Sequence, residues 1–182
     1  YVDERVIVPR SFIAELLRDE LAPWVDDAAT VARVLDLCTG SACLAIVAAL
    51  TFPNATVDAV DLSDDALKVA KINITDYALA GRITVMHSDL FGRLAGRKYN
   101  LILTNPPYVT AASMRALPDE YRREPAMALA SGEDGLDHVR AILRDAPAHL
   151  TEHGLLVVEV GFNRDAVEAA FPQLALTWLE TS

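Results

Sequence analysis

The segment VARVLDLCTGSACLAIVAAL spans residues 31–50 and decides the fold. Residues 31–37 form a short apolar run, which is typical of a buried β-strand. Residues 41–50 are apolar and rich in alanine, which indicates a helix, and Pro53 lies just beyond them. Small residues around Gly40 separate the two elements. A strand that passes into a helix through so short a turn predicts one unit of a parallel sheet.

The same alternation of strands and helices continues along the chain. Apolar runs predict further strands at 56–60, 83–87, 99–104, 155–160 and 174–179, and helical patterns predict helices at 12–24, 63–80, 136–150 and 163–171. Several strands are apolar throughout, which is typical of a parallel sheet that helices cover on both faces. The sequence therefore predicts an α/β fold with a Rossmann-like, mostly parallel sheet.

Composition and charge limit the possible functions. The 182 residues fit one domain, and 52% of them are hydrophobic, so a sizeable core can form. The formal net charge of −10 argues against stable binding to nucleic acid, because phosphate neutralisation needs lysine and arginine. No apolar run is long enough to span a membrane. We therefore expect a cytoplasmic protein without a membrane segment.

The cysteines and histidines predict neither a disulfide framework nor a metal site. Cys38 and Cys43 lie in one segment, and we expect them to be free thiols. His149 and His153 lie one helical turn apart, but no third ligand is near them in the sequence. Cations at the end of a helix complement its dipole, which explains this pair without a metal.

Three loops of the predicted sheet suit a nucleoside ligand, because ligands bind beyond the carboxyl ends of parallel strands. The loop at 36–43 has a single glycine, which suits a ligand without phosphate, such as S-adenosylmethionine, better than a pyrophosphate. After the second strand, Asp61 can accept hydrogen bonds from both hydroxyls of a ribose. After the third, Asp89 can accept from the adenine amine, while Leu90 or Phe91 covers the ring.

These loops supply the predicted binding residues for S-adenosylmethionine. Asp36 can serve the amino group of the ligand, directly or through water. The full predicted set is Asp36, Cys38, Thr39, Gly40, Ser41, Ala42, Asp61, Leu62, Ser88, Asp89, Leu90 and Asn105. Each loop by itself can also be explained as a tight turn or a helix cap, so the prediction depends on their occurring together.

The tetrapeptide Asn105-Pro106-Pro107-Tyr108 follows the fourth predicted strand. Its prolines restrict the backbone and remove two N–H donors, which leaves the Asn105 side-chain oxygen and the Pro106 carbonyl as outward acceptors. Two acceptors can hold both hydrogens of an –NH2 group and aim its lone pair at a methyl group, so no strong base is needed. Tyr108 offers a flat face for a planar group. We expect Asn105, Pro106 and Tyr108 to be catalytic and the whole tetrapeptide to bind the substrate.

Together these motifs resemble the class I S-adenosylmethionine-dependent amino methyltransferases. Four further segments, at 117–121, 124–125, 132–136 and 159–161, are similar to the protein-glutamine methyltransferases, and the resemblance covers nearly the whole chain. Those enzymes methylate the side-chain amide of glutamine in release factors or in a ribosomal protein. The resemblance implies a methyltransferase with a protein substrate that converts S-adenosylmethionine to S-adenosylhomocysteine.

Two branches of this family are compatible with the motifs. Cys38, the segment LPDEY at 117–121 and the segment DGLD at 134–137 resemble the branch that acts on ribosomal protein L-three of the large subunit, as do residues 8–11 and 177–180. The release-factor branch usually has Gly-Thr-Gly-Ser-Gly in its first loop. We expect the ribosomal branch, since a basic ribosomal protein is a suitable partner for an acidic enzyme.

The chain departs from the family pattern in two respects. Ala42 stands where the family has glycine, and if that position needs a positive φ the methyl group costs of order 1 kcal/mol. Because the sequence stops at Ser182, we expect the seventh strand of the family fold to be missing. We expect residues 1–30 to be a linker and helix leading from an absent N-terminal recognition domain, and residues 31–182 to be the catalytic domain.

Three other functions use some of the same motifs. An adenine amino methyltransferase could hold a flipped base on the tetrapeptide, but the acidic charge and the lack of Lys/Arg clusters near 105–134 weigh against it. A non-catalytic S-adenosylmethionine-binding module fits Ala42 and the missing strand, but not the intact tetrapeptide. A nucleotide-dependent oxidoreductase does not fit the glycine pattern.

Overall fold

The computed structural model describes residues 1–115 and 124–179. Its strands are β1 (Arg33–Leu37), β2 (Thr56–Asp61), β3 (Ile83–His87), β4 (Tyr99–Thr104) and β5 (Leu150–Val158). Its α-helices are α1 (Ile13–Arg18), α2 (Cys43–Thr51), α3 (Asp64–Asp76), α4 (Ala111–Arg115), α5 (Asp137–Asp145) and α6 (Arg164–Ala170). Short 3-10 helices cover Ala28–Thr30, Ala126–Ala128 and Ala146–His149. The family segment at 117–121 and Glu180 lie outside the described residues.

The described part of the chain forms one five-stranded parallel sheet in the order β3-β2-β1-β4-β5. The chain moves outward from β1 through β2 to β3 and then returns to the other side of β1 for β4 and β5. The strand order therefore reverses between β1 and β4, and the loops after these two strands flank a crevice at the carboxyl edge of the sheet. The predicted α/β, Rossmann-like fold is confirmed.

Alternate residues of the central strands pack on opposite faces of the sheet. Val34 of β1 and Leu101 of β4 belong to a core that also contains residues of α1 and α2. Leu35 and Ile102, their neighbours in sequence, belong to a second core that contains Ile142 of α5. Because helices cover both faces, the central strands are apolar throughout, as in other sheets of this kind.

Three helices, α1, α3 and α5, are shorter than the sequence pattern predicts. Beyond α1 and α3 the chain turns, and Leu21 and Ala78 adopt positive φ angles of 58° and 56°. Neither helix continues through a left-handed residue. α5 ends just before Pro147, which has no N–H for an α-helical hydrogen bond, and a 3-10 turn replaces the helix there.

The strand predicted at 174–179 is absent from the described residues, so that prediction is wrong. The N–H of Leu176 donates to the carbonyl of Leu174 at 3.1 Å, which turns the chain instead of extending it. The strand predicted at 155–160 begins earlier, at Leu150, and pairs irregularly with the start of β4. Among the residues that the structure describes, no helix is both long and apolar enough to cross a membrane.

Candidate active site

The crevice at the carboxyl edge of the sheet holds two adjoining cavities. We call them the larger and the smaller cavity, because their walls surround about 760 and 590 Å³ of space that is partly open to solvent. Ile7, Cys38, Gly40 and Asn105 line both of them. The structure therefore brings the loop after β1 and the tetrapeptide after β4 into one site.

Most of the residues predicted to bind S-adenosylmethionine lie in the walls of these cavities. The smaller cavity is lined by Asp36, Cys38, Thr39, Gly40, Ser41 and Asn105, and the larger by Cys38, Gly40, Asp61, Leu62, Ser88, Asp89, Leu90 and Asn105. Ala42 is the one predicted residue that lines neither cavity. The predicted residues of the loop after β1 lie mainly around the smaller cavity, and those of the loops after β2 and β3 lie around the larger.

Asp36 fastens the loop after β1 to the helix that follows it. Its almost fully buried side chain accepts hydrogen bonds from the Thr39 hydroxyl at 2.5 Å and from the Ala45 N–H at 3.0 Å. Burial raises the pKa of Asp36 to about 7, although both hydrogen bonds oppose the shift. The carboxyl group thus has a structural role in the loop, besides its place in the wall of the smaller cavity.

The loop after β1 turns tightly because Cys38, Gly40 and Ala42 have positive φ angles of 56°, 54° and 64°. A left-handed conformation costs an alanine roughly 1 kcal/mol more than a glycine. The methyl group of Ala42 is fully buried in the core beside α2 and lines neither cavity. The departure from the family glycine therefore strains the backbone without obstructing the cavities.

Asp61, at the end of β2, joins the first two loops of the site. Its Oδ2 accepts a hydrogen bond from the Gly40 N–H and its Oδ1 from the Ser63 N–H, both at 2.9 Å. Each carboxylate oxygen carries a further lone pair. Because Asp61 also lines the larger cavity, both oxygens can accept another hydrogen bond, which is what a pair of ribose hydroxyls requires.

The loop after β3 brings only part of its predicted set to the larger cavity. Ser88 is buried and its hydroxyl accepts from the Arg93 N–H at 3.0 Å, so it also shapes the turn. Leu90 lines the cavity and can cover a planar ring. Phe91 points into the core, where its ring stacks on His149 with 4.7 Å between ring centroids. Of the two predicted covering residues, Leu90 is therefore the one in position.

Asn105 lies where the two cavities meet, and its side-chain amide makes no hydrogen bond to any described residue. Pro107 lines the larger cavity, whereas Pro106 is buried and lines neither. The ring of Tyr108 packs against Gly161 and lines neither cavity. The catalytic roles of Asn105, Pro106 and Tyr108, and the stacking face on Tyr108, stay predictions.

The N-terminal segment 5–11 belongs to the site, which the sequence patterns did not indicate. Its residues line both cavities, and two carboxylates from distant segments hold it in place. Glu124 accepts hydrogen bonds from the Val8 N–H at 3.3 Å and from the Arg10 guanidinium at 3.0 Å. This segment has no periodicity or motif of its own; only its likeness to the family, at residues 8–11, singled it out.

A second group of lining residues also escaped the sequence interpretation. Pro125, Met127, Ala128 and His138 line the larger cavity. The Nδ1 of His138 lies 2.8 Å from the hydroxyl of Ser131, and burial lowers the pKa of His138, which favours the neutral imidazole. Pro125, Met127 and Ala128 lie between the tetrapeptide and α5, and His138 lies in the first turn of α5, where no predicted motif indicated a ligand-binding residue.

Comparisons with known proteins agree with this geometry. A family model described as "Methyltransferase small domain" matches residues 15–122. A protein of Bordetella pertussis named "Ribosomal protein uL3 glutamine methyltransferase" is 58% identical over 182 residues, and one of the same name from Neisseria gonorrhoeae is 59% identical. The whole chain is aligned in both cases, but it spans only 61% and 60% of the length of these relatives.

Solved structures share the fold at low sequence identity. The catalytic domain of hMettl16, solved with the MAT2A 3'UTR hairpin 6, aligns with a TM-score of 0.60 and 20% identity over 82% of this chain and 58% of that one. A ribosomal protein L11 methylase from Lactobacillus delbrueckii subsp. bulgaricus aligns with a TM-score of 0.59 and 21% identity over 92% and 71% of the two chains. The fold is that of the class I methyltransferases.

Proposed function

The chain belongs to the family of methyltransferase small domains, and from this premise we propose that it transfers a methyl group from S-adenosylmethionine to the side-chain amide nitrogen of a glutamine in a protein. The observation that carries the proposal is the position of Asn105. Its amide has no hydrogen-bond partner among the described residues and lies where the two cavities meet. A group held there can contact ligands in both cavities.

The residues of the two cavities fit S-adenosylmethionine. Asp61 has lone pairs for the ribose hydroxyls, and the apolar side chains of Leu62 and Leu90 can flank the adenine in the larger cavity. Asp36 in the smaller cavity can pair with the amino group of the methionine part. A pyrophosphate needs several glycines that let the backbone come close to it, and this loop has only one.

The tetrapeptide orients the amide that is methylated. When bound, S-adenosylmethionine supplies a methyl group on a positively charged sulfur that leaves as a neutral thioether. The Asn105 side-chain oxygen and the Pro106 carbonyl accept the two N–H bonds of the glutamine amide and turn its lone pair towards the methyl carbon. The nitrogen–carbon bond would form as the carbon–sulfur bond breaks and sulfur keeps the electron pair, and the surplus amide proton would pass to water. Orientation and electrostatics carry the rate enhancement.

Ribosomal protein uL3 is the substrate that the relatives favour, since both proteins named above act on it according to their names. The net charge of −10 suits a basic ribosomal protein, because opposite charges speed association and raise specificity. This substrate implies a reaction in the cytoplasm.

The test is methyl transfer from labelled S-adenosylmethionine to purified uL3, to a release factor and to RNA, with mass spectrometry to locate the methyl group. We expect a methylated glutamine in uL3, and we expect Asn105→Ala to lower kcat/KM by about 100- to 1000-fold, as when a transition-state hydrogen-bonding group is removed. Asn54→Ala, at an exposed turn after α2, is the matched control and should keep the wild-type rate.

Two outcomes would overturn the proposal. A methyl group found on adenine in RNA and on no glutamine would assign the tetrapeptide to a base instead of an amide. Wild-type turnover by Asn105→Ala would remove Asn105 from the mechanism. Methylation of the release factor in preference to uL3 would keep the reaction and correct the substrate.

A further inference from the structure

Glu159 lies beside the tetrapeptide, directly after β5. Its N–H donates to the carbonyl of Thr104 at 3.0 Å, so the pairing of β4 and β5 brings Glu159 level with the residue that precedes Asn105. Its side chain is partly buried, and burial raises the pKa of the Glu159 carboxyl group above its usual value. In the sequence, Glu159 is notable only as part of the family likeness at 159–161.

The carboxylate of Glu159 reaches the segment that closes the smaller cavity. Its Oε2 accepts the Ser11 hydroxyl at 2.6 Å and the Phe12 N–H at 3.1 Å. Ser11 is a lining residue of that cavity, together with Pro9 and Arg10. Because hydrogen bonds to a charged acceptor are about twice as strong as neutral ones, Glu159 is a firm anchor for this segment.

Tyr108 lies beside the same carboxylate: its ring lies against Gly161, two residues beyond Glu159, and hydrogen bonding from its side chain lowers the pKa of Glu159. The rest of Tyr108 is held equally closely. Its carbonyl accepts from the Asn163 side-chain amide at 2.7 Å. A Cβ at Gly161 would lie 2.5 Å from Cε2 of the ring, and a Cβ at Gly135 would lie 2.5 Å from the carbonyl oxygen. The ring, the carbonyl and the hydroxyl of Tyr108 are therefore all fixed by contacts outside the tetrapeptide.

We propose that Glu159 is a positioning residue, whose one carboxylate holds the segment 9–12 over the cofactor and holds Tyr108 of the tetrapeptide in place for the substrate amide. This inference rests on the proposed function and adds a physical connection between the two halves of its site. Glu159 acts through Ser11 and Tyr108 and does not touch the reacting atoms.

A carboxylate suits this position because three donors converge on one side chain. An ionised carboxylate is an acceptor only, with lone pairs on both oxygens. The amide of a glutamine at this position has one acceptor oxygen, and its –NH2 group would face donors. The variant Glu159→Gln therefore keeps the shape of the side chain but weakens the contacts to both Ser11 and Tyr108, because one neutral oxygen replaces a charged carboxylate.

The test separates the two contacts with three variants, Ser11→Ala, Tyr108→Phe and Glu159→Gln. Titration calorimetry without a methyl acceptor measures the Kd of S-adenosylmethionine, and steady-state kinetics measures kcat and KM for uL3. We expect Ser11→Ala to raise the cofactor Kd about fivefold, and Tyr108→Phe to lower kcat about fivefold with a cofactor Kd within twofold of wild type. Glu159→Gln should show both changes. Glu168→Gln, on the exposed face of α6, is the matched control.

Double variants decide whether the contacts act through one another. If Glu159 positions Tyr108, the variant Glu159→Gln/Tyr108→Phe has the kcat of Glu159→Gln alone, because the second change removes a contact that is already lost. The inference is overturned if the two substitutions lower kcat by factors that multiply in the double variant. It is also overturned if Glu159→Gln binds cofactor and turns over like the control Glu168→Gln. If the wild-type protein methylates no glutamine, the proposed function fails. The inference is then decided by the cofactor Kd, which Glu159→Gln must raise as Ser11→Ala does.

Discussion

The cofactor side of the site (the loops after β1, β2 and β3) and the substrate side (the tetrapeptide with the residues that follow β5) are built in different ways. On the cofactor side, polar contacts join near neighbours: the hydroxyl of Thr39 bonds Asp36, 3 residues away. On the substrate side they join distant segments: the side-chain amide of Asn163 donates to the carbonyl of Tyr108, 55 residues away. A site made of local turns can be recognised in a short stretch of sequence, whereas one made of long-range contacts depends on the fold.

The largest effect expected on the cofactor side follows from loss of the Asp61 carboxylate. The variant Asp61→Ala removes the two oxygens proposed to accept the ribose hydroxyls and leaves the N–H of Gly40 without its partner. At about 1.5–3 kcal/mol for a hydrogen bond to a charged group, we expect the Kd of S-adenosylmethionine to rise about 100- to 1000-fold. Calorimetry measures this Kd, and an unchanged value would remove Asp61 from the cofactor site.

The matched control for this variant is Asp65→Ala, which removes the same charge from the exposed first turn of α3. Its cofactor Kd should stay within twofold of wild type. A similar loss in both variants would mean that net charge, and not the Asp61 geometry, governs binding of the cationic ligand.

The residues that line the cavities on the cofactor side are the part of the site that could be predicted from sequence. Buried apolar strands located the loop ends, and small or acidic residues at those ends indicated a ligand without phosphate. Ala42 aside, the predicted cofactor residues all line a cavity. The exception follows from local geometry, since the positive φ of Ala42 turns its methyl group into the core.

The substrate side was predicted only in part. The tetrapeptide was recognised because its prolines leave a distinctive pattern of acceptors. Its supports, Glu159 and Asn163, could not be linked to it, because nothing in their spacing reveals that β5 lies next to β4. The segment 5–11 was missed for the same reason: its place over the cavities depends on hydrogen bonds to Glu124 and Glu159, which lie far along the chain.

A substitution at Gly161 should disturb the substrate side most. Gly161 has a φ of +55°, and the Cβ of Gly161→Ala would lie 2.5 Å from the Tyr108 ring. Left-handed strain together with this clash should lower the free energy of unfolding by about 3 kcal/mol in denaturant titration. Displacement of Tyr108 should also lower kcat for uL3 more than it raises the cofactor Kd.

The variant Gly96→Ala separates strain from the clash. Gly96 has a φ of +74° and nothing within 4 Å of its ideal Cβ, so alanine there meets strain alone. We expect it to cost about 1 kcal/mol of stability and to leave kcat unchanged. If Gly161→Ala and Gly96→Ala lower the free energy of unfolding equally, the ring of Tyr108 moves aside without cost. That result would contradict the fixed position inferred for the ring.

On the cofactor side, Asp36→Asn should stabilise the protein in the absence of cofactor while weakening cofactor binding. The pKa of Asp36 is raised from 3.8 to about 7 by burial. Well below pH 3.8 the carboxyl group is protonated in both the folded and the unfolded state. As the pH rises towards 7 the unfolded state loses this proton first, so the wild type loses stability. Since one pKa unit corresponds to about 1.4 kcal/mol, the rise from 3.8 to about 7 leads us to expect Asp36→Asn to be more stable by about 4 kcal/mol at pH 8.

The pH dependence of this difference is the decisive measurement. Unfolding titrations at pH 4 and pH 8 should give a small difference between Asp36→Asn and wild type at the lower pH and the full difference at the higher. The exposed variant Asp26→Asn removes the same charge from the surface and is the control for net charge. A constant difference would mean that Asp36 ionises in the folded protein as easily as in the unfolded chain.

The smallest effect is expected for Ala42→Gly, which restores the family glycine. Relief of the left-handed strain at φ 64° gains about 1 kcal/mol, whereas loss of a buried methyl group costs about 0.8 kcal/mol. The free energy of unfolding should therefore lie within about 0.5 kcal/mol of wild type. The same change at Ala49, fully buried within α2, has no strain to relieve and should cost about 1.5 kcal/mol.

Because the methyl group of Ala42 lines neither cavity, the Kd of the cofactor should not change in Ala42→Gly. A Kd lowered fivefold or more would show that Ala42 weakens the cofactor side after all.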